Sequence, residues 1–135
     1  MSQLSRRRLI LGSVAAIGAL AFGSALAATV PYTPEALSAV KASGKPFILD
    51  FFADWCTTCA AQHRVLDKLR AKSPVYDAIP FVQVDWDAEE HGPLVRAMHV
   101  PRRSTLIVLK GDKELGRIIA ETSEDKIAAL LKLAL

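Results

Sequence analysis

The chain has 135 residues, 51% of them apolar, which suits one small domain with a single core. Its formal charge of +3 misleads about partners: Arg6, Arg7 and Arg8 precede residue 28 and no acid does, so removing them from the 17 basic residues leaves 14 against 14 acidic ones. A neutral body offers no basic surface of the kind a nucleic acid requires, and no nucleic-acid partner is expected.

Residues 1–27 have the three parts of an export signal: the basic Ser5-Arg6-Arg7-Arg8, an apolar run rich in Ala and Gly, and the small-residue site Ala25-Leu26-Ala27. Paired arginines before a mildly apolar run are of the twin-arginine type, which carries folded proteins across the bacterial inner membrane. The alternative is an uncleaved anchor, since Leu9 to Ala28 is twenty residues and long enough to span a bilayer. Either way residues 28–135 form the working domain, placed in the periplasm where disulfides persist.

Thr33-Pro34-Glu35 reads as a helix start, with Thr33 as N-cap, Pro34 at the first helical position and Glu35 facing the positive end of the dipole; the helix ends near Ser43-Gly44. Pro46 to Phe52 follows as a strand apolar on both alternations, the pattern of a parallel strand covered on both faces. Its one oddity is Asp50. A carboxylate there must be paired or protonated, with a raised pKa.

Cys56-Thr57-Thr58-Cys59, holding the only two cysteines, falls where this strand gives way to a helix. Ala61, Val65, Leu66 and Leu69 supply that helix's apolar face, with Gln62, Arg64, Asp67, Lys68 and Arg70 on the other. The first helical turn presents unpaired N–H groups and partial positive charge, so Cys56 gains thiolate character. Cys59, one turn on, lies within reach to close a disulfide and is the more enclosed. One thiol attacks and the other resolves. A structural bridge or half of a shared metal site are the other readings of such a pair.

Ser73-Pro74 marks a loop, Phe81 to Asp85 a second parallel strand, and Asp87 to Met98 a crossover helix of weaker pattern. Thr105 to Lys110 and Glu114 to Ile119, joined through Gly111-Asp112-Lys113, form a hairpin, and Thr122 or Ser123 caps a last helix carrying Ile127, Leu130 and Leu131. No repeat or low-complexity linker interrupts this order.

Phe51 to Cys59 resembles the active-site segment of the thioredoxin superfamily, and Ala53-Asp54-Trp55-Cys56 within it is similar to the periplasmic C-terminal domain of the DsbD-type membrane electron transporter. The resemblance implies an α/β thioredoxin fold: a central mixed sheet of about four strands flanked by helices, with an extra first strand only if residues 28–32 provide one. It also implies that Asp50 assists proton transfer at the buried cysteine and that Trp55, Arg103 and Ser104 border the groove for a partner polypeptide. Chemistry would need no cofactor beyond the redox-active Cys56–Cys59 disulfide.

The chain departs from the family in the loop before Thr105. Thioredoxin-like proteins place a cis-proline there; here the position is Ser104, and Pro101 lies three residues too early. A cis bond before a non-proline residue costs roughly 3–4 kcal/mol, so Arg103–Ser104 is expected to be trans and the loop reshaped. Without the proline ring the flank of the sulfurs would lie open beside a hydroxyl, which admits a metal-binding module for copper(I), zinc or an iron–sulfur cluster as the alternative function. His63 is expected to be solvated or packed, and an arginine of Arg102-Arg103 to lie near Cys56 and lower its pKa. The resulting expectation is an exported, monomeric thiol–disulfide oxidoreductase that acts on client proteins carrying disulfides. A reductase fed by a membrane thiol donor is favoured over an oxidase.

Overall fold

A computed structural model describes residues 29–135; the signal segment expected over residues 1–27 lies outside them. The chain runs β1 (Thr29–Pro31), α1 (Pro34–Ala42), β2 (Phe47–Phe52), α2 (Thr57–Lys72), α3 (Pro74–Asp77), β3 (Phe81–Asp85), α4 (Trp86–Glu89), α5 (Pro93–Ala97), β4 (Thr105–Lys110), β5 (Lys113–Ile119) and α6 (Glu124–Lys132). The strands form one five-stranded mixed sheet in the order β1-β3-β2-β4-β5. Residues 29–31 do supply the extra first strand, pairing parallel with β3, which brings the sheet to five strands.

β2 is the middle of the sheet, parallel to β3 and antiparallel to β4, and its apolar side chains divide between two cores. Phe47, Leu49 and Phe51 join Leu37 and Val40 of α1 and Val95 of α5 on one face. Ile48 joins Leu66 and Leu69 of α2 and Ile127, Leu130 and Leu131 of α6 on the other. The period-two alternation of a strand buried on both sides accounts for this division. Asp50 shares the parity of Ile48, so it too points to the α2 side.

Three local expectations need correction. The crossover helix expected over Asp87 to Met98 is two short helices: Gly92 is extended (φ −77°, ψ 168°) before Pro93, a residue that cannot continue a helical ladder. Ser73-Pro74 is more than a loop, because Pro74 at a first helical position opens the single turn of α3. Gln62, assigned to the solvent face of α2, is fully buried; the buried stripe of that helix is Cys59, Gln62, Leu66 and Leu69. The remaining starts hold: Thr33 Oγ1 accepts from Ala36 N–H, and Ser123, of the two candidate caps, accepts from Lys126 N–H. The hairpin turn is Gly111-Asp112, with Gly111 at φ +59°. Among the described residues no helix is long and apolar enough to cross a membrane.

Candidate active site

The site is built where β2 hands over to α2. Cys56 is the N-cap of α2, and its sulfur accepts the Cys59 N–H at 3.1 Å, the position usually taken by a Ser or Asp oxygen. The same turn places Cys59 so that the two sulfurs are joined in a disulfide with Cα atoms 5.3 Å apart. Both cysteines are buried, Cys59 at 2% exposure only marginally more than Cys56 at 4%. What separates them is therefore the amide that points at the Cys56 sulfur. A helix-terminal N–H stabilises a thiolate more than a thiol.

Ser104 closes the other side. Its hydroxyl oxygen lies 3.2 Å from the Cys56 sulfur and 3.1 Å from the Cys59 sulfur. The flank expected to be open is filled by this side chain, which is fully buried. No described peptide bond is cis, so Arg103–Ser104 is trans as expected, and the loop is reshaped through a left-handed Ser104 (φ +62°). That conformation is held from three sides. Ser104 N–H donates to the Phe51 carbonyl at 2.8 Å, and the Ser104 carbonyl accepts from Ala120 N–H at 2.8 Å and from Gln62 Nε2 at 3.0 Å. Gln62 Nε2 also donates to the Glu121 carbonyl at 2.9 Å, tying helix, loop and hairpin end together.

Asp50 lies on the α2 side of β2 at 1% exposure. It is paired: its Oδ2 lies 2.7 Å from His63 Nε2 and accepts from Gln83 Nε2 at 3.3 Å. Its Oδ1 is buried without a hydrogen-bond partner among the described residues. The partner is a residue the sequence reading set aside as solvated or packed. The hydrogen bond to Asp50 raises the His63 pKa above its ordinary 6.5, outweighing the burial that lowers it. His63 stands four residues after Cys59, and the two line one cleft of about 190 Å³ together with Cys56, Phe52 and Gln83.

Trp55 is 58% exposed beside the dithiol. Its indole N–H donates to Asp87 Oδ2 at 2.8 Å, and the Arg103 guanidinium lies over its ring at 4.2 Å. Arg103, expected beside Cys56, is thus stacked on the neighbouring Trp55, while Arg102 Nε donates to the Arg103 carbonyl at 3.2 Å. The structure therefore brings Cys56, Cys59 and Ser104 into contact, sets Trp55 and Arg103 against each other, and seats Asp50 beneath α2. Among the described residues, no three His, Cys, Asp or Glu side chains gather as a metal site, and His63 is engaged by Asp50. A depression of about 560 Å³ between α2 and α3 is lined by Asp67, Arg70 and Asp77 and holds neither cysteine.

The thioredoxin family model matches residues 30–133. The chain belongs to the thioredoxin family. This family member is 30% identical over 106 residues to a thioredoxin of Mycolicibacterium smegmatis, an alignment covering 78% of this chain and 90% of that protein. It is 34% identical over 62 residues to the thiol:disulfide interchange protein DsbD of Ralstonia nicotianae, covering 45% of this chain and 10% of that much longer protein. Trxlp of Edwardsiella tarda superposes with a TM-score of 0.66 at 32% identity, covering 79% of this chain and 98% of that one. The fold is the thioredoxin fold, and the Cys56–Cys59 pair at disulfide distance makes this thioredoxin-family chain a thiol–disulfide oxidoreductase in the general sense.

His63 and Gln62 were the residues missed. Both carry a positional signal, four and three residues beyond Cys59 respectively, on the face it occupies. A group whose folded pKa lies above its unfolded value stabilises fully below the unfolded value and loses that contribution as pH rises through the folded one. Denaturant unfolding of wild type and His63→Gln between about pH 5.5 and 8.5 should therefore show a wild-type advantage that shrinks toward alkaline pH. An advantage that grows with pH would contradict the charged pair.

Proposed function

We propose that the protein is an exported thiol–disulfide oxidoreductase of the periplasm that reduces disulfides in client proteins and is itself re-reduced by a membrane thiol transporter. The observation that carries the chemistry is the pair of donors at the sulfurs: the Cys59 amide at the Cys56 sulfur and the Ser104 hydroxyl within 3.2 Å of both. Both favour a thiolate over a neutral thiol.

In this reading the Cys56 thiolate attacks a client disulfide, forming a mixed disulfide and expelling the first client sulfur as a thiolate. Cys59 then loses its proton and attacks the Cys56 sulfur, the bond to the client breaks, and its second sulfur leaves with the electron pair and takes up a proton. The client gains two electrons and two protons; the protein ends as the Cys56–Cys59 disulfide. Asp50 supplies the acid–base function at Cys59, and Trp55, Arg103 and Ser104 border the client groove.

The reductase direction is supported by the partial likeness to DsbD and by the oxidising periplasm, where a reductant must be fed from the membrane. Export is supported by the basic, apolar and small-residue parts of residues 1–27; uncleaved, the same segment would anchor the domain to the inner membrane.

The decisive assay is reduction of insulin disulfides with a thiol donor present, which Cys56→Ser should bring to background; undiminished turnover would end the proposal. Ser104→Ala removes a hydrogen bond to a charged sulfur. It should raise the Cys56 pKa by about one unit and, by glutathione equilibration, make the couple about 30 mV more reducing. An unchanged potential would remove Ser104 from the chemistry. Replacing Arg6, Arg7 and Arg8 together with Lys should leave the protein in the cytoplasmic fraction, whereas continued export would exclude the twin-arginine route.

A further inference from the structure

We propose that His63 is the group that accepts and returns the proton of Cys59, with Asp50 holding the ring and its charge. The proposal rests on the reading above in which Cys59 resolves the mixed disulfide, and it moves the proton itself from the carboxylate to the imidazole.

Three observations carry it. His63 Nε2 is committed to Asp50 Oδ2 at 2.7 Å, which leaves Nδ1 as the free ring nitrogen. His63 follows Cys59 by one helical turn, lines the dithiol cleft with it, and packs its ring against Phe52, another wall of that cleft, at 5.8 Å between centroids. Side chains so spaced sit about 5–6 Å apart at Cβ and are neighbours on the helix surface, an arrangement suited to proton transfer directly or through one water. Asp50 by contrast is sealed in, its side chain 2% exposed, while that of His63 is 30% exposed. His63 also borders a second cleft of about 220 Å³, lined by Asp50, Asp67, Arg70 and Gln83 on the side away from the sulfurs. His63 is therefore the member of the pair that lines both the dithiol cleft and the second cleft.

When Cys59 attacks the mixed disulfide, its S–H bond breaks and the proton passes to Nδ1. The Cys59–Cys56 bond forms as the bond from Cys56 to the client sulfur breaks, and that sulfur departs with the electron pair. Nε2–H stays on the Asp50 carboxylate, which stabilises the imidazolium, and the stored proton leaves through the second cleft. Reduction of the disulfide runs the same transfer backwards. The charged and titratable groups facing His63 are Asp50 of β2, Asp67 and Arg70 of α2, Asp54 of the connecting turn, and the two cysteines; β3 contributes the neutral Gln83. The Asp50 hydrogen bond, by raising the His63 pKa, makes the ring a stronger base than a free imidazole.

The test uses the chromogenic disulfide of thionitrobenzoate and the reduced protein, whose first thiolate release reports Cys56 attack and second reports Cys59 attack. In His63→Gln the second release should slow by about a hundredfold at neutral pH and lose its pH inflection, while the first is unchanged. Asp50→Asn should keep an inflection, moved to lower pH. In wild type the inflection should coincide with the His63 titration midpoint followed by NMR, a comparison that needs no variant to fold. An unchanged second release in His63→Gln, equal slowing of both releases, or an inflection away from the His63 midpoint would each overturn the proposal. If His63→Gln is silent and Asp50→Asn alone abolishes the second step, Asp50 is the base and the preceding reading stands. If neither variant alters that step, the acid–base role of Asp50 falls as well.

Discussion

The docking of the Ser104 loop onto the end of β2 and the start of α2 is the contact on which the rest of the site depends. A left-handed serine persists only where surrounding bonds over-determine it, and here Phe51, Ala120 and Gln62 do so through the backbone of Ser104. The result is a hydroxyl held against two sulfurs at a place where a loop free to relax would present none. Phe51 belongs to the buried central strand and Gln62 to the helix that Cys56 caps, so the loop is bonded to both elements that present the dithiol.

Beneath that contact the core carries an unusual concentration of polar chemistry for so apolar a region. Asp50, Gln62, Ser104 and Thr105 are buried together. Each leaves a group in low dielectric that would be costly without a partner. Thr105 Oγ1 donates to the Arg102 carbonyl, Gln62 to two carbonyls, and Asp50 is met by His63 and Gln83. Two atoms of this group are left over among the described residues, Gln62 Oε1 and Asp50 Oδ1, and the second lies in the same pair that takes up the proton in the proposed mechanism. At the rim the economy is different: Trp55 remains exposed, fixed by Asp87 on its edge and covered by Arg103 on its face. A rigid aromatic surface beside a reactive sulfur suits transient contact with many polypeptides, since little side-chain entropy is lost on binding.

Family membership does not transfer the redox poise. The amide at the Cys56 sulfur comes from the helix start, but the Ser104 hydroxyl and the His63–Asp50 pair belong to side chains this chain places there. In the proposed mechanism both act on the balance between thiol and thiolate, and that balance sets the reduction potential.

The sequence by itself determined the strand–turn–helix that presents Cys56 and Cys59, the caps at Thr33 and Ser123, the two-sided burial of β2 and the hairpin, because each follows from local periodicity, capping and turn chemistry. It also marked Asp50 and Ser104 as positions needing an explanation. Only the tertiary structure decided what answered them. The His63–Asp50 pair spans 13 residues and the contacts of Ser104 with the sulfurs span 48 and 45, so no local pattern encodes them. The burial of Gln62 and the pairing of residues 29–31 with β3 are decided at the same level: a polar residue on a buried stripe, or a three-residue strand, is legible only through the partner that satisfies its hydrogen bonds.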